Sequence, residues 1–215
     1  MYAKASLKIE LPPLLPRQTP LAFLDGPVAQ PVSFFSAGSE IYAQGEKTRA
    51  IYQVEFGAVR VYRLLADGRR QISAFHFAGE TFGFEGDTMH HFFAEAVNAS
   101  GLRVFRIGSG TDLSHQLLPL ALKGLTSAQE HLLVLGRQNA IERVAAFLLD
   151  MAERQGDLRH IDLPMSRIDI GDYLGLTIET VSRVFSRLRE KGVIRLESLR
   201  RVEVLKRDAL RAMGE

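Results

Sequence analysis

The 215 residues include no cysteine. That absence excludes disulfides, thiolate nucleophiles, thiolate-ligated zinc and iron–sulfur clusters held by cysteine alone. Also missing is any uninterrupted apolar run near the roughly 18 residues a spanning helix needs, and no basic segment followed by an apolar core opens the chain. Neither membrane insertion nor secretion is indicated, and a soluble cytoplasmic protein is expected. Proline is scarce beyond residue 31, because Pro12, Pro13, Pro16, Pro20, Pro27 and Pro31 are six of the eight. Proline has no amide hydrogen and disfavours helix in the residue before it, so residues 1–31 read as an extended arm.

Excess charge is small as a total, +2 from 27 basic and 25 acidic residues. Its distribution is uneven. Arg183, Arg187, Arg189, Lys191, Arg195, Arg200, Arg201, Lys206, Arg207 and Arg211 face only Glu190, Glu197, Glu203 and Asp208 in the same stretch. A polyanion partner needs such an excess, and a solvated charged face looks the same. Hydrophobic content of 46% is ordinary for a globular chain, and the length suits one large domain or two modest ones.

From about Val32 to residue 111 short strands alternate with glycine turns. VRVY and QISAFHF flank Ala66-Asp67-Gly68-Arg69, a hairpin signal, and the repetition suggests a sandwich or barrel. Residues 112–137 read as one helix, with Pro119 either in its first turn or interrupting a helix begun near Leu113. Leu118, Ala121, Leu125, Ala128, Leu132 and Leu135 are spaced 3, 4, 3, 4, 3, as in a coiled-coil seam. A helix buried in its own chain's core is the alternative. Residues 138–215 hold an amphipathic helix, two further helices and a hairpin, VIRLESLRRVEVL.

Within that last part Ser166 can cap a helix through Tyr173, Gly175 can end it, and Thr177 can cap a second helix that stops near Gly192. A short helix, a glycine turn and a longer helix form a helix-turn-helix. Around the second helix Val181, Val184, Phe185 and Leu188 gather on one side; Glu179, Ser182, Arg183, Ser186 and Glu190 gather on the other. The polar side can meet base edges in a major groove, where arginine donates to guanine, glutamate accepts from cytosine and serine does either. Glu179 and Arg183 at i and i+4 can equally be an ion pair that steadies the helix.

LGRQNAIERVAAFLLDMAERQG followed by LPMSRIDIGDYLGLTIETVSR resembles the cyclic AMP receptor / fumarate-nitrate reductase regulator superfamily of bacterial transcription factors, and its FixK-like branch in particular. The likeness covers about residues 32–210 and includes QGE at 44–46 and AGETFG at 78–83. It implies an α+β fold with an N-terminal β-roll over 32–111, a dimerisation helix over 112–137 and a winged helix-turn-helix over 138–215. It also implies double-stranded DNA, a second copy of the chain and RNA polymerase as partners, with no membrane. By the resemblance Glu179, Ser182 and Arg183 read bases in a TTGAT-N4-ATCAA-like palindrome. Ile178 stands where cyclic AMP receptor proteins usually carry arginine; it cannot donate but can touch a thymine methyl. Ser166, Arg167, Thr177, Thr180, Arg187, Arg189, Arg200 and Arg201 are candidate phosphate contacts.

The family's nucleotide pocket uses an Arg-Ser pair, whereas this chain reads FGFEGDTMHHFFAEA there, with no arginine between Arg70 and Arg103. Without cysteine it lacks the ligands of the oxygen-sensing members, and His76, His90 and His91 are weak candidates for the axial ligand that haem-sensing members need. Ser166 stands where some FixK-like relatives carry a redox-sensitive cysteine. The expectation is a regulator, an activator, that uses no cofactor and no small-molecule effector. Its expected targets are genes of microoxic respiration, nitrogen fixation or nitrogen-oxide metabolism. Two alternatives remain at this stage: a regulator gated by an unrecognised ligand in the β-roll, and a cupin-like metalloenzyme using His76, Glu85, Asp87, His90 and His91.

Overall fold

The structure is a computed structural model that describes residues 31–106, 114–137, 139–156 and 159–214. The expected arm lies outside the described residues except for Pro31. Eight strands come first: β1 Val32–Phe35, β2 Glu40–Tyr42, β3 Ala50–Phe56, β4 Ala58–Leu64, β5 Arg70–Phe77, β6 Thr81–Phe82, β7 Phe93–Ala96 and β8 Ser100–Arg106. They form two four-stranded antiparallel sheets, ordered β1-β8-β3-β6 and β2-β7-β4-β5. Alternation along each strand sends one set of side chains between the sheets. Tyr42, Val54, Val59, Val61, Phe82, Ala94 and Leu102 make that interior. The hairpin expected at Asp67-Gly68 joins β4 to β5, and the Asp67 carboxylate accepts from the Arg69 amide at 3.0 Å.

Helix α1, Ser114–Leu135, runs unbroken through Pro119. One side of it packs on its own chain. Leu117 and Leu120 lie against Ile51 and Phe105 on the outer face of the first sheet. Further along, His131 stacks on Tyr173 with ring centroids 3.8 Å apart. The other side is open: Leu118, Ala121, Leu122, Leu125, Ala128, Leu132 and Leu133 are exposed. Leu135 differs from the rest of the expected seam in being half-buried.

The remaining elements are α2 Ala140–Gln155, β9 His160–Asp162, α3 Arg167–Leu174, α4 Ile178–Glu190, β10 Ile194–Ser198, β11 Arg201–Val204 and α5 Arg207–Gly214. The hairpin β10–β11 is joined by β9 into a three-stranded sheet. Neither β9 nor α5 stands out in the sequence, because each is short. Their apolar residues Ile161 and Leu210 are fully buried in the core shared by α2, α3 and α4. That core also takes in Ile72 and Phe75 of β5, so the second sheet's outer face and the helical part bury apolar surface together. Among the described residues no helix is long and apolar enough to cross a membrane.

Candidate nucleic-acid interface

Local chemistry determines how α3 and α4 meet. Ser166 caps α3, accepting from the Asp169 amide at 3.1 Å while the Asp169 carboxylate takes the Ser166 amide at 2.9 Å, a complete capping box. Gly175 ends α3 at φ +64°, in the left-handed region that costs glycine nothing. A second glycine was not singled out by the sequence pattern. A Cβ on Gly171 would stand 2.6 Å from the Leu176 carbonyl oxygen, so the turn closes only over glycine. Its signal was present in IDIGDYLGL, where Gly171 precedes Gly175 by one helical turn. Thr177 then caps α4, accepting from the Thr180 amide at 3.3 Å.

Val181, Val184, Phe185 and Leu188 of α4 are buried against the core. Ile178, Glu179, Ser182, Arg183, Arg187, Arg189 and Glu190 are exposed and Ser186 is partly so, which is the two-sided arrangement expected for this helix. The i,i+4 ion pair is another matter. Among the described residues no ion pair within 4.0 Å joins Glu179 to Arg183; Arg183 instead donates to Thr180 Oγ1 at 3.3 Å. The Glu179 carboxyl is held below its ordinary value by its own backbone amide and then by Thr177, with Arg183 contributing less. The helix therefore does not depend on that pair, and both side chains face outward.

The candidate phosphate contacts divide into two groups. Arg187 and Arg189 project from α4 and form no ion pair among the described residues. Others are already engaged. Ser166 is committed to its cap. Arg167 lies 3.3 Å over the Phe185 ring, where burial pushes its pKa down to about 10. Arg200 donates to the Pro164 carbonyl at 2.6 Å, and Arg201 pairs with Glu197 at 3.2 Å. Arg195 pairs with Glu203 at 2.7 Å, so part of the C-terminal basic set is engaged within the chain. Among the described residues Arg183, Arg187 and Arg189 of α4 and Lys191 just past it form no ion pair, and neither do Lys206 and Arg211.

A groove of about 850 Å³ runs beside this face, lined on one side by Thr180, Ser182, Arg183 and Arg187. Its other side is Asn139, Ala140 and Ile141, the N-terminus of α2. Sequence reasoning missed that contribution, although Asn139 followed by Glu142 is a visible cap signal. Asn139 caps that N-terminus, accepting from the Glu142 amide at 3.0 Å, and Glu142 in the first turn of α2 and Glu190 in the groove lining set acidic groups beside the basic ones. The hairpin tip beyond it exposes Leu199 almost completely, at 88%.

The candidate metal ligands do not converge. His90 pairs with Glu85 at 3.2 Å and stacks on Tyr42, while His91 pairs separately with Asp87 at 2.9 Å. Among the described residues no three histidine, aspartate or glutamate side chains come together to hold an ion.

Known proteins match the two halves of this architecture. Residues 142–213 match the Crp-like helix-turn-helix domain, and residues 32–109 match the cyclic nucleotide-binding domain. The nitrogen fixation regulation protein FixK of Rhizobium meliloti is 51% identical over 216 residues, covering 99% of each chain. The fumarate and nitrate reduction regulatory protein of Vibrio cholerae is 34% identical, over 73% of this chain and 68% of its own. Among solved structures, FixK2 from Bradyrhizobium japonicum superposes with a TM-score of 0.82 at 40% identity, over 87% of this chain and 98% of that one.

Proposed function

The chain belongs to the CRP/FNR family of transcription regulators, in its FixK-like branch, and from that premise we propose that it binds a TTGAT-N4-ATCAA-like palindrome as a homodimer without a small-molecule effector. It is a DNA-binding regulator and not an enzyme. The observation that carries the finer reading is the outward polar face of α4, whose Glu179 and Arg183 are not spent on each other. On this reading Arg183 donates to guanine, Glu179 accepts from cytosine and Ser182 supports either, while Ile178 packs on a thymine methyl. Thr177 and Thr180 sit at the N-terminus of the same helix, near the backbone, and Arg187 and Arg189 supply phosphate contacts.

Dimerisation is supported by α1, whose exposed leucines form an apolar stripe facing away from its own chain. A second copy of the helix covers such a stripe, with Leu122 and Leu133 joining Leu118, Leu125 and Leu132. Effector independence is supported by the β-roll interior. Tyr42, Tyr52, Phe82 and His76 stack through it, and Tyr42 also stacks on His90. Arg60, Arg70 and Arg103 turn outward to Asp169, Asp172 and Glu55. A phosphodiester entering that space would meet aromatic rings in place of the charge it needs. The FixK relatives' part in nitrogen fixation supports activation of such genes, through contact with RNA polymerase.

The test is binding of purified protein to a palindromic duplex with no added ligand, with mass measured by light scattering. Nanomolar binding by a dimer is expected. Binding that emerges only on adding a cell's small-molecule fraction would instead mean a ligand-gated regulator.

A further inference from the structure

Between the β-roll and the helix-turn-helix lies a set of charged contacts that the DNA face does not use. Asp169, 4% exposed, accepts from Arg60 of β4 at 3.1 Å and from Arg70 of β5 at 2.6 Å. Arg70 also pairs with Asp172 at 2.8 Å, and Arg60 with Glu95 of β7. Gln71 donates its side-chain amide to the Asp172 carbonyl at 2.7 Å. At the far end of the same sheet Arg154, in the last turn of α2, grips Glu80 at 2.6 Å and the Phe75 carbonyl at 2.5 Å. Between the two polar ends Phe75 packs on Tyr173, with ring centroids 5.2 Å apart.

Asp169 has two duties here. As the partner of Ser166 in the capping box it helps start α3, and as the acceptor of two arginines from neighbouring strands it fastens that start to the sheet. Burial works against its charge, but the Ser166 hydrogen bonds and the two guanidinium groups outweigh it, and the carboxyl titrates below its ordinary value. α3 packs directly on α4, so a sheet that holds α3 also sets the direction in which α4 points. Besides these polar contacts the two parts share the apolar core of Ile72, Phe75 and Tyr173, which is non-directional and leaves the fixing of orientation to the charged pairs.

We propose that Arg60, Arg70 and Arg154, with Asp169, Asp172 and Glu80, form an intrachain clasp that positions the DNA-reading head on the β-roll and thereby determines which half-site spacing the protein accepts. These are positioning residues and touch no base. The clasp's DNA readout rests on the dimeric, palindrome-binding reading; its geometric readout does not.

The experiment uses the full chain. Because it has no cysteine, Thr88→Cys in the β-roll and Arg211→Cys in α5, both exposed, can be spin-labelled uniquely. Diluting with unlabelled protein restricts the measured distances to one chain. Arg60→Gln with Arg70→Gln should widen the distance distribution. Arg70→Asp should widen it too, and adding Asp172→Arg should narrow it again, a rescue that general destabilisation does not give. An unwidened distribution in well-folded variants overturns the clasp.

On DNA, the double glutamine variant should lose about tenfold or more on the palindrome with four intervening bases. It should also bind three- and five-base spacers nearly as well as the four-base site, and keep half-site affinity within about twofold. An equal loss on half-sites would mean that the arginines act only through the integrity of α3, and would overturn the positioning role. Wild-type protein that shows no spacing preference would sink the palindrome reading, while the distance measurement would still decide the clasp.

Discussion

Arg183 is the residue on which sequence specificity turns, because it is exposed, sits in the second turn of α4 and has only a long contact to Thr180 to give up. A bidentate arginine–guanine contact distinguishes the right base by about 1–3 kcal/mol. Arg183→Ala should therefore weaken a single half-site by roughly 5- to 150-fold, and a palindrome bound by two protomers by about the square of that factor, while leaving random duplex nearly unchanged, as read by competition binding. Equal losses on half-site and random duplex would remove its base-reading role. A different residue governs acid sensitivity. His131 is 8% exposed, neither ring nitrogen has a partner among the described residues, and burial pushes its pKa down to about 4. The unfolded chain takes up the proton first, near 6.5, so the stability held above that pH is lost as pH falls toward 4. His76, lowered to about 4 by burial with Glu80 and Arg154 acting in opposite senses, adds to the same window. Between pH 7 and 5 His131 should account for up to about 2 kcal/mol. His131→Phe keeps the stack on Tyr173 and should remove about half of the pH slope in chemical denaturation; an unchanged slope would show that the ring is hydrated in solution.

At the scale of the element, α1 has two faces that ask for different partners. Its inner face is satisfied by Ile51, Phe105 and Tyr173, and among the described residues of one chain nothing lies over its outer leucines. Leu125→Glu or Leu132→Glu places charge on the outer stripe without touching the inner contacts. Light scattering should then find monomers that retain their fold and bind half-sites, and a mutant still dimeric would move the interface elsewhere. The same helix shows how much was legible beforehand. The 3,4 spacing found the helix and most of its open face, but a period of 3.5 drifts from a straight helix's 3.6. Leu122 and Leu133 were therefore missed, and Leu135 turned out to face partly inward. Helices α3 and α4 were readable almost to the residue, since Ser166, Gly175 and Thr177 carry their boundaries in their own chemistry. Strand β9 and the intrachain engagement of Arg200 were not, because both depend on partners distant in the chain and no local pattern encodes them.

For the whole molecule the relevant quantity is where uncompensated charge remains once internal pairs are formed. The net charge of +2 conceals it, since Arg60, Arg70, Arg154, Arg195 and Arg201 are tied to carboxylates. Among the described residues Arg183, Arg187 and Arg189 of α4 form no ion pair and make a basic stripe beside the N-terminus of α2. In a symmetric dimer each substitution on that stripe counts twice. Each neutralised phosphate contributes about 0.9 to the slope of log affinity against log salt. Arg187→Ala should accordingly reduce the slope by about 1.8 on a full palindrome bound by two protomers, and by about 0.9 on an isolated half-site bound by one. Leu125→Glu, if monomeric, should show the smaller change on both duplexes. A reduction that is the same on palindrome and half-site in the wild-type background would mean that only one reading head engages at a time. That result would separate the charge of α4, which is a property of the chain, from the twofold arrangement that lets the charge act on two half-sites together.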